Sequence, residues 1–328
     1  MRRQKSASFP ARQRGVALIM AVLIVALATI LAVNVTFRGM VDQRRSANLF
    51  ALDQGFEVAL GAEAWAADIL RKDAQDSQTD HYGEIWAKSL SALPIDEGVG
   101  TVEGRIDDLQ GRFNLNNLVF SDGTTNAKAV KQLERILGML DIEPTWAAAM
   151  ADWIDADTQP GFPDGAEDSV YMGLNPPHLA ANMPITRASE LMVLPEFGAE
   201  RFRRLQQYVT ALPVGTKLNV CTAPGIVLDS LSESQRQFSL NPEDLAKRRK
   251  DACFPTLEEL RGTLGQADYD QIKDTLSESS TYFRATVWVT IGTTQFTLYS
   301  LLARSGAGTV RPVLRSFEIG RASCRERV

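Results

Sequence analysis

Six carboxylates crowd into residues 151–171, ADWIDADTQPGFPDGAEDSVY: Asp152, Asp155, Asp157, Asp164, Glu167 and Asp168. Close carboxylates repel one another, and a hard divalent cation offsets that cost by taking several oxygens at once. Calcium accepts about 6–8 oxygens at flexible geometry, many of them from short acidic loops. Gly161, Pro163 and Gly165 give this stretch the character of a loop. The spacing is not that of an EF-hand, whose DxDxDG start and distant bidentate Glu are missing. Asp155, Asp157, Glu167 and Asp168 are the expected direct ligands. Asp152, Asp164, Asn182 and backbone carbonyls form a second tier. A solvated acidic loop, with Asp152 or Asp155 at a helix end, would use the same residues without a metal. Acid–base catalysis would need two carboxylates with pKa values pushed apart in a cleft, and the sequence carries no sign of that.

The two histidines, His81 and His178, have no partner at metal-ligand spacing, and no Ser/His/Asp order is recognisable. Each reads as a surface or turn residue.

The elements that must hold the loop begin with a hydrophobic N-terminal run. Residues 16–37, VALIMAVLIVALATILAVNVTF, are 22 residues without a charge. As a helix they span roughly 33 Å, enough to cross a hydrocarbon core. Arg2, Arg3, Lys5, Arg12 and Arg14 precede them without an acid, so the positive-inside rule places residues 1–15 in the cytoplasm and the bulk outside. An ordinary secretory signal has a shorter apolar region. Here the run continues without a turn signal, and Leu49, Leu52, Phe56, Ala59, Leu60, Ala64 and Ala67 recur at helical spacing. One helix over 16–72 is expected.

Beyond it the spacing predicts a loop at 73–80, an amphipathic segment near 82–93 and a strand over 101–107. The Asn-rich corner DLQGRFNLNNL follows, where Asn114, Asn116 and Asn117 can bond their own backbone. Helices are expected at 128–140, 145–154, 186–193 and 198–210, in a rhythm that resembles a helix-hairpin-helix, or SAM-like, module. A second copy starts at 218 with a short strand and a helix, and another helix covers 255–264. Residues 281–302, rich in Val, Thr and aromatics, read as a hairpin turning at Gly292, Thr293 and Thr294, with a last strand at 310–317.

The whole chain carries a formal charge of −5. Residues 319–328, IGRASCRERV, resemble the in-frame translation of a sequencing-library adapter and are set aside as a scar; the true C-terminus is then expected to be missing. Without this tail and the basic leader, 27 Lys and Arg stand against 39 Asp and Glu, a net charge of −12. A body this acidic argues against nucleic acid. Cys324 leaves with the tail. Cys221 and Cys253 remain, an even pair in a chain placed outside the cytoplasm, so a disulfide is expected, with two buried thiols as the alternative. No CxxC supports a zinc or redox motif.

The junction Gln13-Arg14-Gly15 before the apolar run resembles a type IV prepilin cleavage site. That resemblance implies cleavage between Gly15 and Val16, methylation of Val16, and prepilin peptidase as a partner. Pilins commonly carry Glu at the fifth mature position. Met20 stands there, which points to a subunit with none beyond it to pair with. Together with DLQGRFNLNNL, DWIDAD…DGAED and NMPITRASEL, the leader resembles the type II secretion system protein K family. The resemblance covers nearly all of 12–317. It implies an α+β protein: a long N-terminal membrane-spanning helix, a pilin-like α/β domain with a small antiparallel sheet, and a large inserted all-α, SAM-like domain. The boundaries are a leader at 1–15, the helix at 16–72 and the pilin-like domain at 73–117 and 276–318. The helical insertion with its acidic calcium loop takes 118–215, and a second SAM-like segment takes 216–275. The resemblance further implies a non-enzymatic minor pseudopilin at the tip of the secretion pseudopilus, starting or capping its assembly with minor pseudopilins I and J. The chain would sit in the inner membrane with its bulk in the periplasm. A membrane-tethered hydrolase built on the carboxylates and a DNA-binding pilus tip are the competing readings.

Overall fold

The computed structural model describes residues 13–95, 100–233, 236–292, 294–306 and 308–321. Residues 1–12 of the leader, Thr293 of the hairpin turn and residues 322–328 of the tail lie outside them.

Helix α1, Gln13–Asp76, runs unbroken for 64 residues. Within its apolar part the Thr29 and Thr36 hydroxyls donate to the carbonyls of Val25 and Ala32, one turn back. Such back-bonding satisfies hydroxyls where lipid offers no partner. The helix is long and apolar enough to cross a membrane. The chain divides into two compact units, residues 1–57 and 58–328.

The second unit is built on a five-stranded antiparallel sheet in the order β1-β2-β7-β8-β9. Its strands are β1 Leu90–Ile95, β2 Gly100–Asp108, β7 Tyr282–Ile291, β8 Thr294–Arg304 and β9 Val310–Arg321. Alternation fixes one buried face: Phe283, Ala285, Val287 and Val289 point one way from β7. Ile106 stands opposite Ala285 and Leu298 opposite Val287. Ala66 and Leu70 of α1 pack there with Trp86, Ile106, Phe283, Ala285 and Leu302, and Trp86 meets Phe283 edge-on at 5.4 Å. One polar staple crosses this layer. Buried Glu63 of α1 accepts from Ser300 Oγ and from Arg315 Nε and Nη2 at 2.5–2.8 Å.

The amphipathic segment near 82–93 combines two short elements. It is a 3-10 turn, Ile85–Ala87, followed by β1 as an edge strand. The last strand also runs further than 317, with Gly320 opposite Gln295.

Between β2 and β7 lies the helical block. It contains β3 Phe113–Asn114, α2 Ala127–Met139, α3 Trp146–Asp152, α4 Asp168–Tyr171, α5 Gly198–Leu205 and β4 Val209–Thr210, then β5 Leu218–Asn219, α6 Gly225–Asp229, α7 Pro242–Arg248, α8 Leu257–Leu264, α9 Gln266–Ile272 and β6 Leu276–Ser277. Leu133, Ile136 and Leu137 of α2 share one apolar cluster with Val227, Leu228 and Leu260. The stretches 118–215 and 216–275 therefore pack around a common core. The helix expected over 198–210 stops at Leu205, because Val209 and Thr210 leave it to pair in parallel with Phe113 and Asn114.

The Asn-rich corner does more than turn the chain. Asn116 Nδ2 donates to the carbonyls of Ile185 and Leu212, and its Oδ1 accepts from Ile185 N. Asn114 Oδ1 accepts from Leu212 N, and Asn117 Oδ1 from Gly215 N. The bonds from Asn116 N to Asn114 Oδ1 and from Asn114 Nδ2 to Asn117 Oδ1 are local. Side-chain amides thus satisfy backbone groups of later segments of the helical block.

Cys221 and Cys253 are joined by a disulfide, their Cα atoms 4.6 Å apart. The Arg249 guanidinium is buried beside it with carbonyl partners alone: Val220, Ala223 and Phe254. Burial draws its pKa down to about 10.

Candidate metal centre

Helix α3 ends at Asp152, and the chain then loops to α4. Asp152 organises this loop. Its Oδ2 accepts from Gly161 N at 2.9 Å. A Cβ on Gly165 would lie 2.2 Å from that same oxygen and 2.5 Å from Gly161 O. Position 165 has room for glycine only.

The loop brings Asp155, Asp157 and Glu167 together, one carboxylate oxygen of each lying within 4.8 Å of the others. Asp155 and Glu167 are each 2% exposed, while Asp157 faces solvent. Asp155 Oδ2 accepts from Thr125 Oγ1 at 2.7 Å, which orients the carboxylate and leaves Oδ1 without a partner. Neither oxygen of Glu167 has a partner. Asn182 is tethered through Nδ2 to the Asp157 carbonyl at 2.8 Å, and its buried Oδ1 is also unpartnered.

Asp168 and Asp164 stand apart from this group. Asp168 Oδ1 accepts from Ala180 N at 2.9 Å, pinning the returning chain. Asp164 is exposed on the loop. Thr125 had no signal in the sequence: one of two adjacent threonines, 30 residues before its partner, looks like any other loop residue.

Burial, followed by the charges of Asp152, Asp155, Asp168 and Asp157, pushes Glu167 up to about 7. Asp155 is raised by burial, against the Thr125 hydrogen bond. Asp152 is raised by burial, against the N–H groups of Gly161 and Ala166. Unpartnered acceptors, buried and mutually repelling, form an all-oxygen set of the kind a hard divalent cation satisfies. The residues present fit calcium.

A long N-terminal helix packed on an antiparallel sheet, with a helical block inserted between sheet strands, defines a pilin-like filament subunit. The chain belongs to the type II secretion system protein K family, and it is a minor pseudopilin of that system. It is 34% identical to the type II secretion system protein K of Pseudomonas aeruginosa, over 94% of both chains. It is 32% identical to that of Aeromonas hydrophila, over 89% of this chain and 93% of the relative. The family model described as type II secretion system (T2SS), protein K, matches residues 111–214. Among solved structures, a chain in the GspK-GspI-GspJ complex of enterotoxigenic Escherichia coli shares the fold. Its TM-score is 0.73 at 23% identity, covering 84% of this chain and 99% of that one.

Proposed function

We propose that this pseudopilin occupies the tip of the type II secretion pseudopilus, where it starts or caps assembly with minor pseudopilins I and J and supports export of folded proteins across the outer membrane. The observation that carries the reading is the fold shared with a chain solved in a complex with GspI and GspJ. The apolar run of α1 anchors the chain in the inner membrane, with the basic leader cytoplasmic and the bulk periplasmic. Prepilin peptidase cuts between Gly15 and Val16, and Val16 is then methylated.

Calcium is held by Asp155, Asp157 and Glu167, with Asn182 Oδ1 as a neutral fourth oxygen. Its charge offsets the mutual repulsion of the acids and ties the loop between α3 and α4 to the core. The role is structural, without a reaction at the carboxylates. Co-purification of the full chain from membranes with pseudopilins I and J, in calcium and in EDTA, tests the reading. A ternary complex is expected, weakened by EDTA. Recovery of the chain without either partner in both conditions would overturn the assembly role.

A further inference from the structure

Among the described residues, seven of the ten buried side-chain polar atoms without a partner belong to residues 153–182. Four are carboxylate or amide oxygens, which a cation satisfies: Asp155 Oδ1, both Glu167 oxygens and Asn182 Oδ1. The others are Trp153 Nε1, Tyr171 OH and His178 Nε2. An indole N–H is a donor only, and a phenol is a donor as well as an acceptor. A cation cannot satisfy a donor. The indole N–H and the phenol hydrogen need a lone pair, whereas His178 Nε2 is an acceptor, because Nδ1 donates to the Pro176 carbonyl at 3.2 Å.

Tyr171 is held in one orientation. Its side chain is fully buried. Its ring packs edge-on against Trp153 at 5.0 Å and lies 5.5 Å from His178. Its carbonyl accepts from Leu174 N and His178 N. Trp153 in turn accepts Asn182 N on its carbonyl. The same short segments thus carry the ligands and the aromatic wall. Burial first, then Asp152 and Glu167, push the phenol upward, so the hydroxyl stays protonated beside those carboxylates.

We infer that Tyr171 is a positioning residue of the cation site, its hydroxyl donating to an oxygen of the loaded cluster, either a ligand carboxylate or a water carried by the cation. The inference rests on the calcium reading above. Outer hydrogen bonds of this kind orient ligands, and their loss typically weakens metal affinity by about 10–100-fold.

The test is calcium chloride titration of the full chain in detergent, read by calorimetry and by the thermal midpoint against EDTA, for wild type, Tyr171→Phe and Trp153→Phe. Phenylalanine keeps the ring and removes only the donor. Tyr171→Phe is expected to bind calcium about 10-fold more weakly, while its midpoint in EDTA is unchanged or higher because a buried orphan hydroxyl is gone. Trp153→Phe is expected to weaken binding independently. Wild-type affinity in Tyr171→Phe overturns the inference and leaves the calcium reading intact. A wild-type chain that does not respond to calcium removes both. Loss of fold in Tyr171→Phe, with or without calcium, assigns the tyrosine to packing and also overturns the inference.

Discussion

Glu167 is buried with both oxygens unpartnered, and the charges of four aspartates act on it. A proton and a cation therefore compete for the same carboxylate. Its pKa in the folded chain stands near 7, above the ordinary 4.5. In the metal-free protein this group contributes stability that is complete below about 4.5 and lost as pH rises through about 7. A cation binding the ionised form reverses the slope. The thermal midpoint in EDTA is expected to fall between about pH 5 and 7, and the increment added by calcium to grow over the same range. Glu167→Gln should flatten both trends. Scanning calorimetry across that range, with calcium and with EDTA, checks this, and an increment independent of pH would refute it. The carboxylates were legible because acids so dense stand out in any loop. Three of the four expected direct ligands converge and the fourth does not. Asp155, Asp157 and Glu167 meet, while Asp168 binds a backbone N–H, because the path between α3 and α4 is set by Asp152 and by the tight approach at Gly165.

At the scale of elements, the 3-10 turn Leu115–Leu118 shows how the start of the helical block is fastened to its later segments. Asn116 alone exchanges three hydrogen bonds with Ile185 and Leu212. Asn116→Ala leaves those buried backbone groups unpaired and should cost about 2–4 kcal/mol. Asn117 also exchanges three side-chain bonds, with Thr216 O, Gly215 N and Asn114 Nδ2, but its position is half-buried and Gly215 is exposed, so water replaces the lost partner and Asn117→Ala should cost clearly less. Urea unfolding of the two variants compares them, and equal losses would contradict the assignment. The long helix, α2 and the β7–β8 hairpin were readable from periodicity over many residues. The short strand at 218 was expected and is β5. The edge strand β1 and the parallel pairings of β3 with β4 and of β5 with β6 were not readable, since such short pairings carry no period of their own. The helix expected through 210 ended early for the same reason: pairing with β3 outweighed local propensity.

At the scale of the whole molecule, the disulfide closes a loop of 32 residues containing α6 and α7, and Arg249 ties both of its strands through backbone carbonyls. The paired change Cys221→Ser and Cys253→Ser should cost about 3–4 kcal/mol, chiefly by freeing the unfolded chain. The same loss should follow reduction of the wild-type chain, and denaturant midpoints within error of the oxidised protein would disprove it. The sequence by itself determined the anchor, the β-rich closing segment, the acidic loop and the family resemblance. Each is a property of consecutive residues: unbroken apolarity, alternation, charge density, ordered motifs. The tertiary structure alone decided that the two helical stretches share one core, that Thr125 orients Asp155, and that three of the six acids face one another. The first two contacts join residues far apart in the chain and the third depends on the path of one loop, and no local pattern encodes the partner that burial will supply.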